Sequence, residues 1–124
     1  MIDFQNAKFN KLGHVKNIAY EDKLAPLLVP GEEIIDTYKA NRDGVVFTNK
    51  RIFVVNVQGF TGKKVDFTSL PYSKIQSWSI ETAGVLDMDA ELEIWFSGLG
   101  KVRLEFTDRV DIASISKHIA SCVL

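Results

Sequence analysis

From Pro30-Gly31 onward the chain is a succession of short β-branched and aromatic runs, each broken by a turn signal after eight to twelve residues. Runs this short cannot supply long helices, so their apolar side chains must meet across a sheet. The spacing predicts an all-β sandwich or barrel. The predicted strands are Glu32–Ala40, Gly44–Thr48, Arg51–Gln58, Lys63–Leu70, Ile75–Thr82, Ala90–Ser97 and Lys101–Thr107. Asn49-Lys50 suits a two-residue turn, because Asn tolerates positive φ. Gly59 and Gly62 bracket the next turn, and Pro71-Tyr72 breaks the chain before the fifth strand. A loop of Gly98-Leu99-Gly100 joins the last two strands, placing Leu92, Ile94 and Phe96 on one face with Val102, Leu104 and Phe106.

The pattern then becomes helical. Ile112, Ile115, Ile119, Cys122 and Val123 form one apolar stripe, with Asp108 as the expected N-cap and Asp111 favouring the positive end of the helix dipole. Such a helix can plug the open end of a bent sheet pair. Before Pro30 the apolar residues are spaced among Lys, Asn and Glu, and Lys16 to Leu28 reads as helical, with Pro26 kinking it or starting a new turn. The organisation is therefore a helical N-terminal extension over 1–30 and a β domain over 31–124, together one structural domain.

Composition limits what this domain does. Fifteen Lys and Arg against sixteen Asp and Glu give a net charge of −1, which argues against a nucleic-acid binder or a generally basic membrane binder while allowing a local basic patch. At 46% hydrophobic and 25% charged, the chain has a globular rather than a disordered make-up. A single cysteine, Cys122, excludes an intrachain disulfide and a multi-thiolate zinc site. No apolar run reaches the roughly twenty residues of a membrane span, and the N-terminus lacks the pattern of a signal peptide. A soluble, cytoplasmic protein is expected.

Residues able to do chemistry are few. Asp87, Asp89, Glu91 and Glu93 recur with period two, so an extended chain puts all four carboxylates on one face. A calcium loop needs Gly where Leu92 stands, and the row reads as a hydrated outer face rather than a metal site. His118 has Ser114 and Cys122 at helical spacing, but no Gly-rich elbow surrounds either one, and the stripe suggests an inert thiol and a His reaching solvent. No phosphate-binding loop occurs. No catalytic residue, metal or cofactor is assigned. Lys39, Arg42, Lys50, Arg51, Lys63 and Lys64 lie in or beside turns and together suggest a basic rim for anionic headgroups or an acidic partner, or simply solubilising charge.

Apolar surplus is the more informative anomaly. In the second and third strands both faces are apolar, with Val45, Phe47, Ile52 and Val54 on one and Val46, Phe53, Val55 and Val57 on the other. A sheet wet on one side should alternate. Either the N-terminal segment or another subunit must cover the second face. Trp95 shares the acidic face with Glu91 and Glu93, and in the hairpin register above it lies opposite Arg103, a candidate cation–π pair. It is either a lone surface Trp or part of an interface.

Several ordered phrases resemble the bacterial pleckstrin-homology-like domain family: Phe47-Thr48-Asn49-Lys50-Arg51, Gln58-Gly59-Phe60-Thr61-Gly62-Lys63-Lys64, Leu70-Pro71-Tyr72-Ser73-Lys74-Ile75, Glu81-Thr82-Ala83-Gly84 and Leu86-Asp87-Met88-Asp89-Ala90-Glu91-Leu92-Glu93-Ile94-Trp95. Leu24 to Glu32 also resembles the family's approach to its first strand. The resemblance implies a mainly β pleckstrin-homology-like fold of two orthogonal antiparallel sheets, seven strands in all, and a C-terminal capping helix. It also implies a small non-enzymatic module that partners itself in a cyclic homo-oligomer, with five-fold symmetry one candidate order, and engages a further protein not identified by sequence. On this reading Val46, Phe53, Val55, Val57, Trp95, Arg103, Asp89, Glu91 and Glu93 are the candidate oligomer interface. Lipid-binding relatives of this fold carry a K-x(n)-[KR]-x-R run; here Gly44 stands where its last Arg belongs, which counts against phosphoinositide recognition. Peripheral contact with anionic lipid through the basic turns is the alternative.

Overall fold

The computed structural model describes residues 11–86, 89–107 and 109–124. Its elements run β1 (Gly13–Val15), α1 (Ile18–Leu24), β2 (Ile34–Ala40), β3 (Asp43–Thr48), β4 (Arg51–Gln58), β5 (Lys64–Pro71), a 3₁₀ turn at Tyr72–Lys74, β6 (Ile75–Glu81), β7 (Ala90–Phe96), β8 (Gly100–Phe106) and α2 (Ile112–Val123). They form two antiparallel sheets, β1-β2-β3-β4-β5 and β6-β7-β8. The seven strands and the C-terminal helix stand where the hydrophobic pattern puts them. An eighth strand, β1, comes from the stretch expected to precede the helical segment. It pairs with β2, and Leu12 bridges Phe106 to bring this edge beside β8.

Both faces of β3 and β4 are apolar because each faces a separate core. Val45, Phe47, Ile52 and Val54 point inward to meet Leu92, Ile94, Val102 and Leu104 of the other sheet and Ile112, Ile115 and Ile119 of α2. Tyr38 meets Phe47 and Phe106 edge-on near the middle of this core. Asp111, rather than Asp108, caps α2 by accepting the Ser114 N–H at 3.1 Å; Asp108 lies outside the described residues. Trp78 ties β6 to the helix through a 3.0 Å hydrogen bond from Nε1 to Ser116 Oγ.

The second core is smaller. Tyr20 and Leu24 of α1 lie on Val46, Phe53 and Val55, and all five are buried. The helix is shorter than Lys16–Leu28, ending at Leu24 before a turn in which the Leu27 and Leu28 N–H groups still bond the Leu24 carbonyl. Gly44 lets this cover come close. A Cβ there would lie 2.6 Å from the Tyr20 ring and 2.6 Å from the Tyr38 carbonyl oxygen, while the Tyr20 hydroxyl donates to the Arg42 carbonyl at 2.8 Å. The interface assigned from sequence to Val46, Phe53 and Val55 is thus corrected: the chain's own helix occupies that face. Of the four valine and phenylalanine positions assigned there, Val57 at the margin stays half-buried.

Two turns differ from expectation. The left-handed residue is Asn41 (φ 55°) in the β2–β3 turn, and not Asn49. The β3–β4 turn is instead shaped by Thr48 Oγ1, which accepts the N–H groups of Lys50 and Arg51, both at 3.0 Å. In the last hairpin Phe96 pairs Gly100, which makes Ser97-Gly98-Leu99 the loop. Every pairing moves by two residues relative to the expected register. Faces survive a two-residue slip but partners do not, so Trp95 pairs Lys101 and Arg103 pairs Glu93.

Leu24 is fully buried in the smaller core, so Leu24→Ala should cost about 3 kcal/mol in chemical denaturation. Hydrogen exchange should accelerate first at Tyr20–Leu24 while β7 stays protected, because a seven-residue helix depends on its packing.

Candidate functional site

Beyond its cores the molecule offers an outer sheet face, two sets of basic turns, one polar junction and two strand edges. The outer face of β6-β7-β8 carries the acidic row. Glu91, Glu93 and Trp95 are half-buried there, and cross-strand cations match the carboxylates. Lys101 Nζ lies 3.5 Å from Glu93, Arg103 donates to Glu91 and, at 3.1 Å, to Glu105, and Lys11 pairs with Asp89. Asp87 lies outside the described residues. Arg103 is thus engaged by carboxylates, and the cation–π contact expected with Trp95 is replaced by a guanidinium stack 4.1 Å over the Phe53 ring, supplied by Arg51. Glu105 is buried, and burial together with the neighbouring Glu91 and Asp89 charges raises its pKa against the pull of Arg103. No group of three or more His, Cys, Asp or Glu among the described residues is arranged to hold a metal.

A single basic rim does not form. Asn41-Arg42 and residues 59–63 turn at one end of the five-stranded sheet, whereas Asn49-Lys50 turns at the other, with β3 and β4 between them. At about 3.3 Å per residue the two ends stand on the order of 20 Å apart. Arg42, Lys63 and Lys64 therefore share an end with Lys39, whose ammonium lies 5.8 Å from the Tyr20 ring centroid. Lys50 sits at the opposite end. At the first end Phe60, between Gly59 and Thr61, is fully exposed, and with Arg42 it lines an open hollow of about 340 Å³. A Phe between glycines and beside Lys63-Lys64 was visible in the sequence as an unusual turn.

Arg51 is not a free cation. Its Nε and Nη2 donate to the two oxygens of Glu32 at 3.0 and 2.8 Å, Nη2 also reaches the Leu27 carbonyl at 2.7 Å, and Nη1 reaches Ser69 Oγ at 3.1 Å. Glu32 has no exposed side-chain surface, and it also accepts from Thr48 Oγ1 (2.7 Å) and from the Val29 N–H (3.1 Å). Burial raises the Glu32 pKa, but the donors outweigh it and hold the carboxyl below its ordinary range. On the far side of Thr48 its carbonyl accepts from the Tyr72 hydroxyl at 2.7 Å, and His118 Nε2 lies 3.0 Å from the same oxygen. His118 is thus half-buried against Tyr72 and Phe47 rather than directed to solvent. Cys122 Sγ approaches His118 Nε2 at 3.8 Å, while Ser114 faces a different part of the molecule, beside Asp111 and His14.

Among the described residues β5 has only β4 as a neighbour and β6 only β7, whereas the other two edges, β1 and β8, are tied to each other at the bridge Leu12–Phe106. Beside the β5 edge the half-buried Val57, Val65 and Phe67 extend the apolar face beyond the reach of α1. The β6 edge, Ile-Gln-Ser-Trp-Ser-Ile-Glu, contains no Lys or Pro, two residues that commonly guard an edge.

The family model described as Bacterial PH domain matches residues 3–123. The Bacillus subtilis protein YjqA is 44% identical over 105 residues, covering 83% of this chain and 84% of its own. A crystal structure of a Shewanella loihica protein with a pleckstrin-homology domain is 38% identical, with a TM-score of 0.80 over 93% of this chain and 99% of that one. The pleckstrin homology domain from Shewanella amazonensis is 39% identical, with a TM-score of 0.69 over 98% of this chain and 99% of that one.

The Glu32–Arg51 pair sets a measurable pH dependence. Arg51→Met leaves a buried carboxylate without its main partner and should cost about 3 kcal/mol at neutral pH. In the parent chain the Glu32 contribution is fully present above the ordinary glutamate range and is lost as pH falls through the lowered folded value. In the variant burial dominates and raises the carboxyl, so folding takes up a proton. The stability gap, read by urea denaturation, should narrow on acidification.

Proposed function

This chain belongs to the bacterial PH domain family, and we propose that within it the protein is a non-catalytic interaction module that assembles with copies of itself, head to tail, into a closed ring. The observation that carries this reading is the pair of strand edges, β5 and β6, that no bridge to the other sheet covers among the described residues. A free edge is a row of unpaired N–H and C=O groups, and a second chain is the partner that satisfies it most directly. β5 and β6 are unlike edges on one molecule. Docking β5 of one copy beside β6 of the next is therefore a heterologous contact, which closes into a ring when the rotation permits. Val57, Val65 and Phe67 lie beside the first edge, and Trp95 and Glu93 stand on the outer face carried by the second sheet. These side chains supply apolar area and register to a main-chain contact.

Light scattering at micromolar concentration should give several times the mass of one chain. A lysine on either edge, Val65→Lys or Ser79→Lys, should reduce it to the mass of one chain with unchanged far-UV circular dichroism. A parent protein that runs strictly as a monomer would exclude this assembly.

Anionic lipid is the second reading, favoured by the exposed Phe60 among Arg42, Lys63 and Lys64. An apolar tip within a small basic cluster suits the boundary of a negatively charged bilayer. Flotation with vesicles containing acidic lipid should then recover the protein at low salt and lose it at high salt. Phe60→Ala should weaken recovery, whereas Lys50→Ala, at the opposite end of the sheet, should not.

A further inference from the structure

Where β1 and β2 face the start of α2, a cleft of about 240 Å³ opens between the sheet and the helix. Its floor is Tyr38, and its walls include His14, Asp36, Arg109, Asp111 and Ser114. Tyr38 is only 4% exposed, with its ring held in the main core by Phe47 and Phe106. Its hydroxyl reaches the cleft but makes no hydrogen bond with any described residue of the chain. The ring is buried while the oxygen keeps contact with the solvent of the cleft. Such a phenol is a built-in handle for something that enters the cleft.

The surrounding groups define the chemistry of that occupant. His14 lies directly across from Tyr38 in the β1–β2 register, with the rings 5.3 Å apart. Its Nε2 donates to Asp36 Oδ1 at 3.0 Å, a direction fixed because an ionised carboxylate only accepts. Asp111 Oδ1 accepts the Ser114 N–H. These bonds leave Asp36 Oδ2, Asp111 Oδ2 and Tyr38 Oη as acceptors without a partner among the described residues. Burial first, then the Asp36 and Asp111 charges, raise the Tyr38 pKa, so the phenol stays protonated and neutral. Two carboxylates, Asp36 and Asp111, face the cleft with Arg109 at its rim. An anion at the α2 N-terminus would meet a helix end already capped by Asp111, with two carboxylates facing it. The donor set does not make a metal cluster. What fits is a group with several N–H donors and a positive charge, on a stem short enough to lie beside Val110 above the Tyr38 hydroxyl.

We propose that this cleft is a binding site for an organic cation, an alkylammonium or guanidinium group, held between Asp36 and Asp111 with Tyr38 at its base. That chemistry is shared by free amines and by the Lys or Arg side chain of another protein.

The test is a titration of the full chain, followed by ¹H–¹⁵N NMR, with butylamine, with agmatine and with an acetylated Lys-containing peptide, using acetate and phosphate as controls. The amines should shift Gly13–Val15, Asp36–Tyr38 and Val110–Ser114. Tighter binding of the peptide identifies a protein side chain as the source, and equal or weaker binding identifies a free amine; either supports the site. Asp36→Asn and Asp111→Asn should each weaken binding roughly tenfold, and the second keeps its helix cap because Asn caps as well as Asp. Tyr38→Phe is the discriminating variant. It removes a hydroxyl with no partner among the described residues, so the melting temperature should hold while affinity falls several-fold. The proposal is overturned if Tyr38→Phe binds amines as tightly as the parent, if acetate or phosphate shifts these residues and the amines do not, or if none of the probes shifts them.

Discussion

The buried ion pair between Glu32 and Arg51 is the contact on which most of the architecture depends. It joins three parts of the chain that sequence leaves separate. Glu32 leads into β2, Arg51 opens β4, and through Leu27 and Ser69 the same guanidinium reaches the end of the N-terminal segment and the β5 edge. A buried pair repays its desolvation only when its remaining donors and acceptors are satisfied. Here Thr48, the Val29 N–H and the stack on Phe53 supply the rest. Removing Arg51 would leave the Glu32 carboxylate, which has no exposed surface, without its main partner. That asymmetry makes the junction a point of specification more than a source of net stability.

Thr48 carries the constraint to the other side of the sheet. Its hydroxyl belongs to the Glu32 cluster and shapes the β3–β4 turn, while its carbonyl takes the Tyr72 hydroxyl and faces His118 of α2. The N-terminal cover and the C-terminal plug are thus referenced to one residue. This explains how a five-stranded sheet with two apolar faces stays monomolecular over most of its area. α2 and the second sheet close one face, and α1 closes the centre of the other. Only the margin at Val57, Val65 and Phe67 remains half-covered, next to an unpaired edge. In the assembly proposed above, a second copy therefore meets an edge rather than the broad face that composition alone suggests.

Strand positions were legible in the sequence because period-two patterning and turn residues are local signals. β4 matches residue for residue in extent, and the division of Val45, Phe47, Ile52 and Val54 from Val46, Phe53 and Val55 follows directly from alternation. What was not legible is long-range. Parity assigns Trp95 to a face but cannot choose between Lys101 and Arg103 as its partner, because a two-residue slip preserves every face. Lys39, Arg42, Lys50 and Arg51 are close in sequence yet divided between two ends of the sheet, since each strand reverses direction. Arg51 reads as an exposed turn cation until its Glu32 partner, nineteen residues away, is seen. β1 is only three residues long and takes its strand character from pairing with β2, not from its own propensity.

Tyr38 illustrates how a core position carries information beyond packing. Its ring does the work of a phenylalanine, filling the angle between Phe47 and Phe106 with edge-on contacts. Nothing in that role needs an oxygen. The phenol oxygen, without a partner among the described residues, meets the solvent of the cleft instead. Sequence reading, which sees Tyr38 inside an alternating strand, has no reason to separate ring from hydroxyl. The fold does so by seating the ring in the core and leaving the oxygen at the bottom of a cleft lined by Asp36 and Asp111. The same rigid packing that fixes the ring also fixes the direction of the hydroxyl, and a polar group oriented by a core is pre-organised for whatever meets it.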